Sequence, residues 1–373
     1  MTAVAKTRRD IVTLARQLIG FESTTGNVAQ IEACLSFVEE YLSEVGPIHL
    51  KQYRSNGVPS VIAEFDHSKT HDLLMIGHLD VVLGSPEQYE PKIDGDRLIG
   101  RGANDMKGQV AALLVLMKNL ATLDPLPNVA IALTFDEEVG GDNGAKYLVD
   151  REGYRPKFVI TPDGGGDETW EIVHAEKGVR HVRVTCPGKA AHAAYSWTGE
   201  NAVTKLLDMH HAFVAEFPPL DSEIEYWHPT CTLSKIEGGT SANSVPATAS
   251  VTLDIRLVEA AQHDWVERLL TTHFPGCQIE TLTACHPVNT PADHDEVVRF
   301  TKVLEVCTGQ EPLVRHSHGA SDLEPFARAG IPGIDVGIIG GDVHGPGEWA
   351  SLDSLVVLHD TLYAFITNER KSQ

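Results

Sequence analysis

Residues 75–82, MIGHLDVV, begin as a core strand and then present a histidine and an aspartate two positions apart, His78 and Asp80. A short apolar run bounded by polar residues suits a strand covered on both faces. Such strands belong to parallel sheets, whose ligands gather beyond the carboxyl ends of the strands. His78 and Asp80 stand at that end. Either one alone is an ordinary loop side chain, so the reading depends on how the neighbouring strands finish.

Working outward, RRDIVTLARQLIGF and VAQIEACLSFVEEYLSEV carry apolar residues at helical spacing, and PSVIAEF reads as another strand. On the far side come a helix over KGQVAALLVLMKNLATL, a strand NVAIALTF, a helix AKYLVDRE and a strand KFVITP. This alternation predicts a mixed, mostly parallel sheet with helices on both faces. Near residue 178 the pattern changes. A strand VRHVRVTC, a helix NAVTKLLDMHHAFVAEF, strands TCTLSKIEG and ATASVTLDIRL, a helix AQHDWVERLLTTHF and a strand QIETLTA follow in turn. That β-α-β-β-α-β order is the ferredoxin-like unit. After NTPADHDEVV the α/β pattern returns, with strands PLVRHS and GIDVGII and a last helix over LDSLVVLHDTLYAFITNE. The expectation is an α/β domain made of residues 1–177 and 288–373, with an α+β domain, 178–287, inserted into it.

The strand ends can now be compared. NVAIALTF finishes in Asp136, Glu137 and Glu138, KFVITP leads to Asp163, and GIDVGIIGGDV leads to His344. GRGANDMKG places Asp105 just before a helix. Five loops therefore bring carboxylates and imidazoles to one edge of one sheet. A lone loop aspartate is usually a cap or a solvated group, and a lone histidine is usually structural. Their joint occurrence suits paired divalent metals, above all Zn²⁺, because the donors are nitrogen and oxygen rather than thiolate. Charge agrees: two such ions balance three carboxylates and one hydroxide.

Bulk properties narrow the partners. The net charge of −22, from 52 acidic and 30 basic residues, repels nucleic acid and anionic membrane. Cys34, Cys186, Cys231, Cys277, Cys285 and Cys307 are scattered without a CxxC pair, which suits neither a zinc ribbon nor a disulfide framework. The longest purely apolar run, VAALLVLM, is far too short to cross a bilayer, and no apolar signal segment follows the first residues. The expectation is a soluble cytoplasmic protein acting on a small molecule.

GHLD, GRGANDMKG, DEEVGG, TPDG and HGPGEW, in this order, resemble the motifs of the M20 metallopeptidases. That family includes acetylornithine deacetylase, succinyl-diaminopimelate desuccinylase, glutamate carboxypeptidase and several dipeptidases. The resemblance spans the whole chain and implies a zinc exopeptidase-like catalytic domain with a lid and dimerisation domain inserted. It implies two Zn²⁺ per chain, with Co²⁺ or Mn²⁺ able to substitute. Asp105 would bridge the ions, His78 and Asp163 would complete one position, and Glu138 and His344 the other. Asp80 would accept the ring N–H of His78 and fix its tautomer. Glu137 would act as general base and acid for water attacking an amide carbonyl. A cis peptide at Asp105–Met106 is also implied.

In the inserted domain, GKAAHAAYSWTGENAV aligns His192 with a histidine that reaches the scissile carbonyl in relatives, often across a homodimer. The usual Ser and Pro after it are replaced here by Ala and Tyr. Asn243 and Arg256, in GGTSANSVPATASVTLDIR, match residues that would hold a substrate carbonyl and carboxylate. Gly319, Ala320 and Ser321, in HGASDLEPF, match a loop that would meet substrate through its amides. Glu348 and Trp349 are expected to support the site structurally. The implied reaction is hydrolysis of an amide beside a free carboxylate. An N-acyl-amino-acid deacylase is the leading expectation, with dipeptidase or carboxypeptidase as alternatives. A mononuclear enzyme and a metal-dependent binding protein without turnover are more distant. A serine hydrolase is disfavoured because no GxSxG is complete, and a P-loop because no GK[ST] follows the glycines.

Overall fold

The computed structural model describes residues 3–166, 168–219 and 226–368. Two compact units emerge. The larger comprises residues 1–175, 290–316 and 321–373, and the smaller comprises 176–289 and 317–320. Residues 317–320 lie within the span that the sequence pattern gave to the larger domain. They join the smaller unit, where the Lys177 amide donates to the Ser317 carbonyl at 3.1 Å.

In the larger unit the sheet begins at His49–Ser55 and continues through Val58–Glu64, Val129–Thr134, Leu73–His78, Phe158–Thr161 and Gly333–Gly341. Leu73–His78 runs parallel to both its neighbours, and Gly333–Gly341 runs parallel to Phe158–Thr161. The first two strands are antiparallel, so the sheet is mixed. Every residue of Leu73–His78 and of Val129–Thr134 is buried, which explains why both read as unbroken apolar runs. In register, His78 pairs with Thr134 and Leu73 with Phe158. The carboxyl ends of these strands therefore open side by side.

The helix Lys107–Leu120 packs against Ala3–Ile19 and Leu352–Asn368 and is apolar on nearly every face. Its interior residues Val110–Met117 are all buried, the composition expected of a helix enclosed by others. Glu369, the last residue of the expected final helix, lies outside the described residues. Sequence reading missed the strand His49–Ser55, whose Lys51 and Arg54 disguise it, the strand Glu171–Glu176 and the helix Asp295–Thr308. Among the described residues no helix is long and apolar enough to cross a membrane. All six cysteines are free thiols.

The smaller unit is a four-stranded antiparallel sheet in the order Thr230–Gly238, Thr248–Leu257, Gly178–Pro187, Gln278–Cys285. Alternate residues of Thr248–Leu257 are buried. Val251, Leu253 and Ile255 form one core with Leu206 and Phe213 of Ala202–Val214 and with Val266 and Leu270 of Gln262–His273. The element order and strand order are those of the ferredoxin-like unit.

Candidate metal centre

The site is assembled from the finishing residues of parallel strands. His78 is the last residue of Leu73–His78 and its side chain is 1% exposed. Its Nε2 lies 2.9 Å from Asp105 Oδ1 and 3.6 Å from Asp163 Oδ1. Asp163 follows Phe158–Thr161, with its amide fastened to Asp335 Oδ1 at 3.0 Å. Asp105 occupies the turn before Lys107–Leu120, where the positive end of the helix favours an anion. The Asp105–Met106 peptide is cis.

Glu137 and Glu138 sit on the short helical turn Glu137–Val139 beyond Val129–Thr134. Gly140 ends that turn at φ +103°, a backbone region that glycine enters freely. His344 follows Gly333–Gly341 and is half-exposed. Its Nε2 lies 2.9 Å from Asp105 Oδ2 and 3.1 Å from Glu138 Oε2. Asp105 thus offers one oxygen to each histidine. His78, Asp105 and Asp163 form one group, and Asp105, Glu138 and His344 another, with the donor atoms of each group within 4.8 Å of one another. Glu137 belongs to neither group.

Asp80 works differently from expectation. The nearer partner of His78 Nδ1 is the Asp80 main-chain carbonyl, at 3.0 Å, with the carboxylate at 3.6 Å. The carboxylate instead accepts the amides of Glu137, at 3.3 Å, and Glu138, at 3.1 Å. One buried residue therefore orients the histidine through its backbone and the two glutamates through its side chain.

Electrostatics mark the cluster as short of positive charge. Burial pushes Glu138 up to about 7, with the Asp105 charge adding to it. Burial also raises Glu137 well above the usual range, with Asp163, Asp322 and Asp105 adding to the effect. Asp163 is raised by burial and by Asp105. For Asp105, burial is outweighed by hydrogen bonds from His344 and His78, and its carboxyl is lowered. For His78, burial opposes the charged ring, yet the neighbouring carboxylates of Asp105, Asp163 and Asp80 raise it well above normal. The Asp105 bond raises His344. Carboxylates this crowded hold protons unless cations replace them. Two imidazole nitrogens with three carboxylates are a donor set that fits borderline divalent ions such as Zn²⁺.

In the smaller unit, His192 is exposed and ends the two-residue strand Ala191–His192, paired with Ser244–Val245. Its Nδ1 accepts the Ala194 amide at 3.1 Å. The Ala193 amide donates to the Asn243 carbonyl at 2.9 Å, so backbone pairing brings His192 and Asn243 together. The Asn243 side chain is exposed and accepts from Ser241 Oγ at 2.9 Å. The Arg256 guanidinium forks the Asp254 carboxylate at 2.8 and 3.0 Å, and His181 joins the same carboxylate at 3.2 Å. Gly319 and Ala320 belong to this unit, and Ser321 to the larger one.

Two buried groups around the centre were missed. Asp322 accepts from Thr134 Oγ1 at 2.9 Å, and burial pushes it up to about 7. Arg101 is enclosed beside Glu348. Both stand inside the segments HGASD and GRGAND, but burial leaves no mark on a single sequence.

Residues 74–368 match the sequence profile described as peptidase family M20/M25/M40. A succinyl-diaminopimelate desuccinylase of Gluconobacter oxydans is 28% identical over 377 residues, spanning 96% of this chain and 97% of that protein. A probable carboxypeptidase of Aspergillus flavus is 32% identical over 224 residues, 55% of this chain and 52% of that one. The crystal structure of an aminopeptidase from Bacillus cereus superposes with a TM-score of 0.79 at 20% identity, covering 96% of this chain and 98% of that one.

Proposed function

The chain belongs to peptidase family M20/M25/M40 and is a hydrolytic enzyme, and from that membership we propose an N-acyl-amino-acid deacylase with a dinuclear centre. Relatives named succinyl-diaminopimelate desuccinylase, alignable over nearly the whole chain, support this reading over others. The observation that carries the dinuclear assignment is Asp105, with one oxygen at 2.9 Å from each of His78 and His344.

His78, Asp105 and Asp163 would hold one Zn²⁺, and Asp105, Glu138 and His344 the other, with Co²⁺ or Mn²⁺ able to substitute. Bound there, such ions acidify water and polarise a carbonyl. Glu137 takes a proton from the attacking water and passes it to the departing amine nitrogen, so that amide and water become carboxylate and amine. Burial, first of all, raises its carboxyl above the usual range, which makes it a better proton acceptor than an exposed glutamate. Asp80 keeps Glu137 and Glu138 in place through their amides.

His192 supplies an N–H to the oxygen that gains charge, in line with the family pattern. Asn243 holds a substrate carbonyl, and Gly319, Ala320 and Ser321 offer backbone donors. Arg256 binds the substrate carboxylate in exchange for Asp254, the anion it now forks. The smaller unit serves as lid and as homodimer contact, and the enzyme works in the cytoplasm. A carboxypeptidase is the second reading, favoured by the 32% identity to the Aspergillus flavus protein over half the chain. Amine release from a panel of N-acyl amino acids and dipeptides separates the two. Cleavage of acyl amino acids alone supports the deacylase, and cleavage of peptides alone overturns it. Binding of the panel without turnover would point to a non-catalytic role.

A further inference from the structure

Arg101 takes no part in the chemistry above, yet it is 2% exposed and lies between two loops of the metal centre. Its Nη1 donates to Glu348 Oε2 at 2.6 Å. Its Nη2 donates to the main-chain carbonyls of His344 at 3.0 Å and Gly345 at 3.3 Å. Glu348, 1% exposed, uses its other oxygen to accept the amides of Asn104 at 3.0 Å and Asp105 at 3.1 Å. A continuous path therefore runs from the His344 carbonyl through Arg101 and Glu348 to the Asp105 amide. It joins the backbones of two residues whose side chains meet at 2.9 Å.

The two histidines differ in what else holds them. His78 ends a central strand, and its second ring nitrogen is fixed by the Asp80 carbonyl. His344 stands on the loop between Gly333–Gly341 and Trp349–Ser351, with φ +61° and with Asp342 before it at φ +52°. That loop is tied internally by the Asp342 side chain, which accepts the Gly347 amide at 2.7 Å. Its ties to the rest of the unit include Arg101 and Gln88, whose Nε2 donates to the Gly345 carbonyl at 2.9 Å. A buried arginine–glutamate pair is poor evidence for added stability, because desolvation offsets the attraction. Its placement between two loops of the site gives it another use.

We propose that Arg101 is a positioning residue that sets the affinity of the second metal position, Asp105–Glu138–His344, without touching the ion; this rests on the dinuclear reading above. The first position, His78–Asp105–Asp163, is fastened by strand ends. Glu348 keeps its hold on the Asp105 amide when the guanidinium is removed, so the first position does not share the dependence.

The test is a Zn²⁺ titration of the metal-free chain against a chromophoric chelator, giving two dissociation constants. His344→Ala marks which constant belongs to the second position. Arg101→Met is expected to weaken that constant about 10–100-fold, the usual effect of removing a group behind a ligand, while the other stays within about threefold. The visible spectrum of Co²⁺-loaded Arg101→Met should match the parent for the first equivalent and differ for the second. The double variant Arg101→Met/Glu348→Gln keeps an acceptor for both amides and removes the unpaired buried charge. It carries the test if the single variant does not fold, and Arg101→Lys, which retains the buried cation, carries it if neither does. Equal weakening of both constants, or no change in either, overturns the proposal and leaves the dinuclear reading standing. A parent chain that binds fewer than two ions overturns that reading, and this proposal falls with it.

Discussion

The larger and smaller units hold their candidate residues in opposite ways. In the larger unit, residues from five separate loops converge into two groups that share Asp105, the donor atoms of each group lying within 4.8 Å of one another, and each residue is tied by backbone or by a buried partner. In the smaller unit, His192 is exposed at the end of a two-residue strand, Asn243 is exposed in the turn before that strand's partner, and Arg256 is already engaged by Asp254. The first arrangement is preorganised and carries an electrostatic penalty that protons or bound cations relieve. The second is free to rearrange around a substrate. On the proposed function, chemistry and recognition fall to parts of the chain that hold their residues differently.

This contrast separates the outcomes of substitution. The largest effect is expected at Asp105, which serves both metal groups. Asp105→Asn should release both ions together and lower amide hydrolysis by more than about 1,000-fold, since the ions supply several kcal/mol of charge stabilisation. Retention of two ions by that variant, counted by native mass spectrometry, would break the contrast on the side of the larger unit. His192→Ala should lower kcat roughly 100–1,000-fold, the cost of one oxyanion donor, and keep both ions. Loss of metal in that variant would break it from the other side. Arg256→Met should raise KM for substrates with a free carboxylate about 10-fold or more, with little change in kcat, as one charge-assisted contact is lost. If Asp254 is the only anion Arg256 ever binds, KM will not move.

The smallest effect concerns pH. Burial lifts the Asp322 carboxyl to about 7, so the folded chain keeps a proton that the unfolded chain has released above about pH 4. The stability from that proton is complete below about pH 4 and is lost as pH rises through about 7. Asp322→Asn still accepts from Thr134 and removes the titration. Relative to the parent, the metal-free variant should gain stability as pH rises from 4 toward 8. Parallel curves of melting temperature against pH would assign the proton elsewhere.

Much of the larger unit was legible because buried parallel strands leave unbroken apolar runs and because their ends carry polar residues that a core cannot use. Leu73–His78 and Val129–Thr134 show both features. The ferredoxin-like unit was legible because Thr248–Leu257 alternates residue by residue. His49–Ser55 was not, since a half-exposed strand bearing Lys51 and Arg54 has no apolar run. Within the site, side chains that reach the edge could be placed from their positions at strand ends. How their partners are shared could not. That Asp80 serves His78 through its carbonyl and the glutamates through its carboxylate depends on a turn geometry that residue types do not encode. Arg101 and Asp322 depend on burial, which arises only when distant segments pack.

On the proposed function, Glu137 moves the proton in an amide hydrolysis carried out beside two bound ions. The most direct measurement is amine release by metal-loaded Glu137→Gln, with ions per chain counted on the same sample. The prediction is two ions retained and a loss of roughly 100–10,000-fold in kcat, the contribution of a positioned acid–base group. Two ions retained with hydrolysis at the parent rate would contradict it.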